Sequence, residues 1–580
     1  MSRLPLLLLV LTLACPLFAS TFFVDGSSKS AADTNPGTAD QPWKTLAHAG
    51  AAAELTPGDT VLVRSGVYRE HFEIKVSGTP DKPITFAVAP QARVVIKCSE
   101  IVRGPWTRLK GAPGVREPFP NAFIDVWKVP LGDAYFTDPD FKGAYDDKSH
   151  RWISQVILDD TQPLQLIGPD PIYVNKDYPL LPYVGRGLND MTDRSFFFDP
   201  TDQMLYVKMG GDPAWFNIEV GVRGWGLTAS KIHDVVIRGF EVRGNRQPGG
   251  QWPMCSVGES ERVLIDSCRF YYADFCGLGL GKCKNSTVRN CELSYNGDTG
   301  FGMSNCEDCV IEGCSLLFNN YRHFSAGWHC GGMKCIPGNK RCTVQNCEAA
   351  YTFVGPGIWF DADNEDIRIL GNVCHHNQDG IFFEINGRAT PDSRGGLIAG
   401  NFVYANQGRG IYDSGSRRTW IVNNTVALNG SGITCMPRED PFKLEEVEVR
   451  NNLLISNYTT AATLTRGCDL TLFMDAPGQE YSPEGRRNMT VHSDFNVYAN
   501  NSWVPTMRHS WNPDNTIEQW RQRFSEDLHS VLMPIDFEQR GTGFRVLTTK
   551  GLDVAGPLPD SLNWKPTNPS RIGSSRTSWP

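Results

Sequence analysis

Between residues 230 and 460 the chain repeats two short hydrophobic patterns that are separated by polar corners. One pattern is a strand that ends in Asn or Gly before an apolar residue or Cys, such as VLIDSC (263–268) and IRILGN (367–372). The other is Gly followed by alternating residues, such as GIWFD (357–361) and GIFFE (380–384). These segments have the length of ordinary β-strands, and none shows the periodicity of a helix.

The spacing of the second pattern indicates the architecture. Its leading glycines recur after 22 to 32 residues, at positions 277, 300, 332, 357, 380, 410 and 432. A period in the low twenties with occasional longer turns is typical of a β-solenoid, whereas helical repeats need about 33 residues or more. The sequence therefore predicts an all-β fold, a right-handed parallel β-helix whose coils stack along one axis.

Alternation predicts which side chains face the interior, because successive residues of a strand point to opposite faces of the sheet. The inward residues are predicted to be Ile358, Phe360, Ile381 and Phe383. The outward residues are predicted to be Trp359, Asp361, Phe382 and Glu384. The same parity places Lys334 outside, but it would turn Asp413 inward, so we expect the strand register to break near residue 413.

The segments around the repeat predict end structures and an insert. An amphipathic helix is expected at 42–55, started by Pro42, closing the open end of the solenoid, with Trp43, Leu46, Ala47 and Gly50 on one side. Residues 195–209 read as a hairpin. The predicted organisation is a signal peptide at 1–20, a cap with the first coils at 21–99, an inserted sandwich-like β domain at 100–222, the main β-helix at 223–545 and a tail at 546–580.

The first twenty residues have the pattern of an export signal. Arg3 precedes an apolar run, and Ala19 and Ser20 provide a small-residue cleavage site, so the mature chain is expected to begin near Thr21 in a secreted or periplasmic protein. Lipidation at Cys15 is a less favoured alternative. No later stretch has the roughly 18 apolar residues that a membrane span requires.

Composition narrows the possible partners. The formal net charge of −8 and the pI of about 5.8 argue against nucleic acid or an anionic membrane as the main partner, because both favour a strongly basic face.

The cysteines fall at repeated positions in successive coils. This placement predicts a ladder of buried thiols rather than the disulfides that are usual in exported proteins, and the ladder members are Cys268, Cys291, Cys314, Cys347 and Cys374. Cys306 and Cys309 with Cys330 or Cys335 offer a weaker zinc alternative, so no metal and no cofactor is predicted.

Asp361 and Glu384 lie 23 residues apart, at the same place in consecutive coils. Stacked strands are about 4.8 Å apart, so the two outward carboxylates should lie roughly 5 Å apart. That spacing is what a retaining glycosidase needs for a nucleophile and an acid/base, whereas inversion requires about 6.5–9.5 Å. The alternative is that both are ordinary solvated residues whose repulsion is relieved by Lys334 or a bound cation.

The neighbouring residues favour a sugar site. Trp359 and Phe382 are predicted to offer an aromatic platform, Lys334 to keep Asp361 charged, and the surroundings of Glu384, which include Ser414 on the next coil, to raise its pKa. The remaining predicted substrate-binding residues are Trp328, His329 and Arg388. The outward glycines Gly279, Gly281 and Gly302 are predicted to form the floor of a cleft.

These motifs resemble glycoside hydrolase family 120, the β-xylosidases of the right-handed parallel β-helix class. The resemblance rests on GIWFD, on the 23-residue step to IFFE and on the early β insert. It implies that Asp361 is the nucleophile, that Glu384 is the acid/base, and that the substrate is an oligosaccharide or polysaccharide. The chain departs from the family pattern at Ala362, where members carry an aromatic residue, and at Asn386-Gly387-Arg388, where they carry His-Gly-Pro.

Two rival functions are open on this fold. A polysaccharide lyase or uronate epimerase would use Lys334, His329 or Arg388 as base or neutralising cation, with Asp361 and Glu384 as cation ligands. A non-catalytic carbohydrate-binding protein would retain glycan affinity without either carboxylate.

Overall fold

The alternating segments form the strands of three long parallel sheets. The computed structural model describes residues 19–109, 125–136, 152–167, 187–246, 252–324, 329–438, 442–457, 470–472, 491–499, 516–548, 550–568, 573–574 and 578–579. Nearly all of the predicted signal peptide lies outside this set.

Most coils contribute one strand to each sheet, in chain order, and the described residues include 13 strands in sheet 1, 13 in sheet 2 and 11 in sheet 3. Sheet 1 contains Thr21–Val24, Thr60–Val63, Ile84–Val88, His233–Arg238, Glu261–Asp266, Thr287–Arg289, Val310–Glu312, Thr343–Gln345, Ile367–Leu370, Gly396–Ala399, Thr419–Val422, Val447–Arg450 and Val491–Asp494. Sheet 2 contains Gly66–Tyr68, Val94–Lys97, Glu241–Arg243, Arg269–Tyr271, Glu292–Ser294, Ser315–Leu317, Glu348–Ala350, Val373–His375, Phe402–Tyr404, Thr425–Ala427, Leu453–Ile455, Val497–Ala499 and Val531–Met533. Sheet 3 contains Phe72–Ile74, Leu227–Ser230, Pro253–Gly258, Cys276–Gly281, Thr299–Ser304, Gly331–Cys335, Ile358–Asp361, Ile381–Glu384, Arg409–Ser414, Ser431–Met436 and Leu470–Leu472.

This arrangement confirms the predicted all-β, right-handed parallel β-helix. The inward residues of the three sheets form one continuous hydrophobic core, which runs from Val24 to Trp520. The predicted inward set is fully buried in this core, namely Ile358, Phe360, Ile381 and Phe383. Burial of these alternating apolar columns is the main stabilising contribution, because each buried aliphatic or aromatic side chain adds about 1.5–3 kcal/mol.

The N-terminal helix is shorter than predicted. It runs over Leu46–Ala51 rather than 42–55, because the hydroxyl of Thr45 accepts a hydrogen bond from the backbone N–H of His48 and so caps the helix. Trp43, Leu46, Ala49 and Gly50 are buried, whereas Ala47 is exposed, so its predicted inward position is wrong. A Cβ at Gly50 would lie 2.1 Å from the carbonyl oxygen of Glu73, so the helix packs tightly on the first strand of sheet 3.

The insert contributes two further sheets. One contains Ser99–Ile101, Val156–Leu158, Gln162–Pro163 and Ile218–Gly221, and the other contains Thr107–Arg108, Val126–Pro130, Gln165–Leu166, Ser195–Asp199 and Met204–Lys208. The predicted hairpin is confirmed, since Ser195–Asp199 pairs antiparallel with Met204–Lys208. Both sheets share one core, which also contains Phe275, Cys276 and Phe324 of the solenoid. The insert is therefore packed onto the coils that precede residue 331.

The remaining elements lie near the C-terminus and in the insert. A second helix spans Ile517–Phe524, and an antiparallel sheet contains Phe537–Arg540, Gly543–Val546 and Ser578–Trp579. Short 3₁₀ helices occur at Asp133–Tyr135, Leu188–Asp190, Pro213–Trp215 and Asp560–Leu562. No helix in the described part of the chain is long and apolar enough to cross a membrane.

Hydrogen-bonded ladders lock the corners of the coil. In one corner the backbone N–H of Asn372 donates to Oδ1 of Asn401 (2.9 Å), and that of Asn401 donates to Oδ1 of Asn424 (2.9 Å). The same ladder begins with cysteines, where the N–H of Cys314 donates to Sγ of Cys347 (3.4 Å). Because every amide in the ladder depends on the next coil, a shift of one residue would leave buried donors unsatisfied.

This ladder corrects the predicted cysteine stack. The first four predicted members occupy it as expected, but the position after Cys347 belongs to Asn372, whose Oδ1 accepts from the N–H of Cys347 (2.9 Å). Cys374 instead lies two residues further along, in a strand where it pairs with Ala349. All the cysteines in the described residues are buried free thiols.

The register does not break at residue 413. Phe383 pairs with Asp413 and Glu384 with Ser414, in the same alignment as the preceding coils. Asp413 therefore points inward, fully buried, beside the hydroxyl groups of Ser416 and Thr419. Burial raises the pKa of the Asp413 carboxyl to about 7. The predicted break is wrong. The hydrogen bonds to the neighbouring strands stabilise the register by more than the burial of one polar side chain destabilises it.

Replacing Asp413 with Asn tests this inward position. Because the folded-state pKa lies above the ordinary value of 3.8, the stability that proton binding provides is fully present below about pH 4 and is lost as the pH rises through about 7. We expect the stability of Asp413→Asn relative to the wild type to rise by up to about 4 kcal/mol between pH 4 and 8. Urea unfolding across this range measures the difference. Asp363→Asn, which alters an exposed carboxylate, should show no such trend, and a pH-independent difference for Asp413→Asn would contradict the assignment.

Candidate functional site

The two predicted carboxylates lie on neighbouring strands of sheet 3. Ile358–Asp361 and Ile381–Glu384 pair in parallel, with Asp361 directly beside Glu384 and both on the outer face. Adjacent strands are about 4.8 Å apart, so the two side chains leave the backbone one strand spacing from each other. Two like charges at this distance are costly unless cations compensate for them.

Each carboxylate has its own cation. Nζ of Lys334 lies 3.2 Å from Oδ2 of Asp361, and the guanidinium of Arg438 pairs with Oε1 of Glu384. The side chains of Asp361 and Glu384 are only 13% and 7% exposed, so neither is an exposed, solvated residue, whereas the relief by Lys334 that the alternative interpretation included is present. The four charged groups thus follow the order cation, carboxylate, carboxylate, cation, with Lys334 beside Asp361 and Arg438 beside Glu384.

The surroundings of Glu384 also differ from the prediction. Besides its pairing with Arg438, Oε2 accepts a hydrogen bond from Nε1 of Trp359 at 3.1 Å. A cation and an N–H donor both favour the charged carboxylate. The neutral environment that Phe382 and Ser414 were expected to provide is therefore overridden by a loop residue from outside the repeat.

Trp359 and Phe382 belong to a column of stacked rings along the solenoid. The ring centroids of Trp359 and Phe382 are 4.9 Å apart, and those of Phe382 and Tyr412 are 4.6 Å apart. Lys334 covers the other face of Trp359 at 3.5 Å, and Arg409 covers Tyr412 at 3.6 Å. The predicted platform is wrong, because these contacts occupy the faces on which a sugar ring would stack. Trp359 instead orients Glu384 through its indole N–H.

Lys334 combines two roles in this column. It pairs with Asp361 and also packs on Trp359, and its side chain is 6% exposed. Burial lowers the pKa of the Lys334 ammonium, and the neighbouring charge of Asp361 opposes that effect. As predicted, Lys334 lies beside Asp361 and supplies its counter-charge.

A corner ladder fixes the backbone immediately after the two carboxylates. Nδ2 of Asn364 donates to the carbonyl oxygen of Asp361 (3.0 Å), and the N–H of Asn364 donates to Oδ1 of Asn386 (3.3 Å). The N–H of Asn386 donates in turn to the hydroxyl of Ser416 (3.1 Å). The carboxylates are thus held on rigid strands whose ends are locked by buried amides.

The other predicted site residues are placed elsewhere. Nδ1 of His329 is 2.7 Å from Oδ1 of Asp298, and its buried ring stacks on Phe275, so it belongs to the interior beneath the insert. Arg388 donates to the carbonyl oxygens of Gly415 and Lys443 rather than to either carboxylate. Trp328 lies outside the described residues.

Arg438 is the site residue that sequence reasoning missed. It follows the strand Ser431–Met436, where the repeat pattern stops, so neither spacing nor alternation pointed to it. Gly415, which has φ +68°, lies against Arg438 and Phe442, and Arg388 donates to the carbonyl oxygen of Lys443. A Cβ at Gly415 would lie 3.0 Å from the carbonyl oxygen of Phe442 and 3.5 Å from Cγ of Arg438. Tyr412 was also missed, although the parity that places Phe382 outward predicts it.

The glycine floor is only partly open. A Cβ at Gly281 or Gly302 would have no neighbour closer than 3.6 Å. At Gly279 it would lie 2.7 Å from Cγ of Pro253, so that position is covered. The open part of the floor lies on coils that precede Lys334.

A groove of about 650 Å³ lies on another face of the solenoid, along sheet 1. Arg368 donates there to the carbonyl oxygens of Leu562 and Asn563, so the C-terminal segment forms one wall. Arg418 and Glu446 in the lining form an ion pair at 3.2 Å. We place the candidate chemistry at Asp361 and Glu384 because they combine burial, close spacing and opposed cations.

Comparisons with known proteins agree with the fold. A family model described as a right handed beta helix region matches residues 254–426, less than half of the chain. The uncharacterized protein YwoF of Bacillus subtilis (strain 168) is 44% identical over 69 residues, which is 12% of this chain and 14% of that protein. The match thus spans a small part of that relative's length.

Solved structures extend the likeness along the solenoid. The structure of XylC in complex with xylose aligns with a TM-score of 0.64 and 15% identity, over 91% of this chain and 89% of that chain. A structure described as a glycoside hydrolase aligns with a TM-score of 0.41 and 13% identity, over 82% of this chain and 99% of that chain. At 15% identity, the alignment with XylC shows a shared fold.

Substituting Gly415 with Ala tests the close contact between Gly415 and the residues Arg438 and Phe442. An alanine at this position must keep a left-handed backbone conformation, and its Cβ must displace Phe442. We therefore expect a loss of about 2–3 kcal/mol in the free energy of unfolding. Gly400→Ala is the matched control, because its φ is +66° but its nearest contact would be an ordinary 3.5 Å to Trp564. It should lose only about 1–2 kcal/mol. Equal losses in chemical denaturation would show that the loop does not press on Gly415.

Proposed function

We propose that this protein is a glycoside hydrolase that acts with retention of anomeric configuration, using Asp361 as nucleophile and Glu384 as general acid/base. The observation that carries the proposal is the direct lateral pairing of the two carboxylates on rigid neighbouring strands. Retaining enzymes need the two groups about 5–5.5 Å apart, close to one strand spacing, whereas inversion needs room for a water between them.

In the first step, Asp361 attacks the anomeric carbon while Glu384 donates a proton to the glycosidic oxygen, and the bond to the leaving group breaks. Asp361 suits the attacking role because it lies on a paired strand of sheet 3 and Lys334 supplies a counter-charge at 3.2 Å. The corner amide of Asn364 holds its backbone, which limits its movement during the attack.

In the second step, Glu384 takes a proton from water, which attacks the anomeric carbon and releases Asp361. Nε1 of Trp359 at 3.1 Å orients the Glu384 carboxyl throughout. The two steps together add one water across the glycosidic bond and regenerate both carboxyl groups.

The choice of sugar rests on likeness. The sequence resembles the family 120 β-xylosidases, and the structure of XylC, which shares this fold, was solved with xylose. We therefore propose β-linked oligosaccharides or polysaccharides of plant or algal origin as substrates, with β-xylosides as the first to test. Secretion or periplasmic location, proposed from the first twenty residues, suits a substrate outside the cell.

A polysaccharide lyase or uronate epimerase is the second candidate. One observation favours it, because burial lowers the pKa of the Lys334 ammonium, as a proton-abstracting lysine requires. The ion pair with Asp361 and the contact with Trp359 oppose it, since both favour the charged lysine. A lyase would produce an unsaturated, ultraviolet-absorbing product, and its cation-dependent forms would lose activity with chelator.

The two carboxylates are distinguished by their variants. Asp361→Ala should lower turnover of aryl β-glycosides on the order of 10³-fold or more for good and poor leaving groups alike, because no covalent intermediate can form. Glu384→Ala should retain the first step with activated aryl groups, stall at the second, and yield a β-glycosyl azide when azide is added. Product configuration by nuclear magnetic resonance measures the outcome.

The matched control is Asp363→Ala, which removes an exposed carboxylate two residues from Asp361 and should leave turnover unchanged. Recovery of the α-azide from Glu384→Ala would rule out retention. Glycan affinity without turnover, surviving the loss of both carboxylates, would instead identify a binding protein.

A further inference from the structure

The ion pair between Arg438 and Glu384 poses a chemical problem for the proposed function. The first step needs Glu384 in its protonated form, but a guanidinium in contact with its Oε1 favours the ionised form. The indole N–H of Trp359 acts in the same direction on Oε2. Something must remove Arg438 from Glu384 before this carboxyl can donate a proton.

The two partners differ in their freedom to separate. The Arg438 side chain is 46% exposed, whereas that of Glu384 is 7% exposed and fixed on a strand. The guanidinium can therefore turn to solvent or to a ligand, while Glu384 stays in place. Arg presents several N–H donors in a planar fork, which suits the paired oxygens of an incoming anion.

The other charged groups around Glu384 would then favour protonation. Asp361 lies directly beside it on the preceding strand, and Lys334 is engaged with Asp361. Ser414, its neighbour on the following strand, is uncharged, and Asp413 behind that strand faces the interior. Without Arg438, Glu384 would keep only the neutral N–H of Trp359 as a donor, and it would be a buried carboxylate beside another carboxylate, so that burial and the like charge both favour the neutral acid.

We propose that the substrate carries an anionic group, a uronic carboxylate or a sulfate ester, on the sugar that leaves, and that this group binds Arg438 and withdraws it from Glu384. This inference rests on the proposed function and defines its substrate class. The leaving-group side follows from the chemistry, because Glu384 protonates the glycosidic oxygen and Arg438 contacts that same carboxyl. The cation beside the nucleophile, Lys334, is already paired with Asp361 and packed on Trp359.

The proton balance is complete without a further reactant. With Arg438 held by the anion, Glu384 takes up a proton from solvent. Glu384 then gives that proton to the glycosidic oxygen as the anomeric carbon bonds to Asp361. The leaving sugar departs with its anion, Arg438 becomes available to Glu384 again, and the restored pairing favours the ionised carboxylate that acts as base in the second step. After the second step Glu384 returns one proton to solvent when it pairs with Arg438 again.

A binding measurement tests the anion site independently of turnover. Isothermal titration of the full chain with methyl β-D-glucuronide should give an affinity at least about 10-fold higher than with methyl β-D-glucoside, as a charged hydrogen-bonded contact provides. Methyl β-D-glucoside 6-sulfate distinguishes a sulfate-specific site from a carboxylate-specific one. Arg438→Gln should abolish the preference, and Arg438→Lys should keep part of it.

A kinetic measurement tests the activation of Glu384. An aryl glycoside that the wild type hydrolyses is prepared with a carboxylate on the aryl ring and as the corresponding methyl ester. The ratio of kcat/KM for the acid over the ester should fall about 10- to 100-fold in Arg438→Gln. For the ester, the basic limb of the kcat/KM profile should move to higher pH in this variant, because Glu384 no longer faces a cation.

Arg418→Gln is the control, because it breaks an ion pair with Glu446 on sheet 1, and it should change neither the binding preference nor the ratio. An unchanged ratio and an unchanged uronide preference in Arg438→Gln would overturn the inference. Arg438-dependent uronide binding by a protein that hydrolyses no glycoside would support the anion site and overturn the proposed function instead.

Discussion

The structure depends on one constraint, which is that each coil must keep the register of the coil before it. The corner ladders impose this constraint, because the backbone N–H of Asn401 bonds to the side chain of Asn424 and the same pattern continues along the axis. A one-residue slip would bury unsatisfied amides and turn the apolar columns outward. The strands therefore remain aligned even where Asp413 turns a carboxyl into the core.

Fixed register places like residues beside like residues, with both favourable and costly results. For aromatic side chains it produces the stacked column that contains Trp359 and Phe382. For Asp361 and Glu384 it produces two carboxylates on adjacent strands, and the cost is offset by Lys334 on one side and Arg438 on the other. The same register thus packs the aromatic rings closely and places the two carboxylates together on one outer face of the solenoid.

The two counter-ions differ in exposure, and this difference fits the separate roles proposed for the carboxylates. Lys334 is buried on a strand of the same sheet and is held between Asp361 and Trp359. Arg438 is half-exposed on a loop beside Gly415. A permanently paired carboxylate suits a nucleophile, whereas one with a removable cation suits a group that must gain and lose a proton.

The sequence by itself determined the solenoid, the inward columns and the adjacency of Asp361 and Glu384, because all three follow from a repeat period and a two-residue alternation that are local properties of the chain. Only the tertiary structure decided what surrounds them. Arg438 comes from a loop outside the repeat, the faces of Trp359 are covered by neighbouring coils, and Arg388 turns to backbone carbonyls. Such contacts join residues that are distant in sequence, and they involve loops without periodicity. No local sequence pattern therefore predicts them.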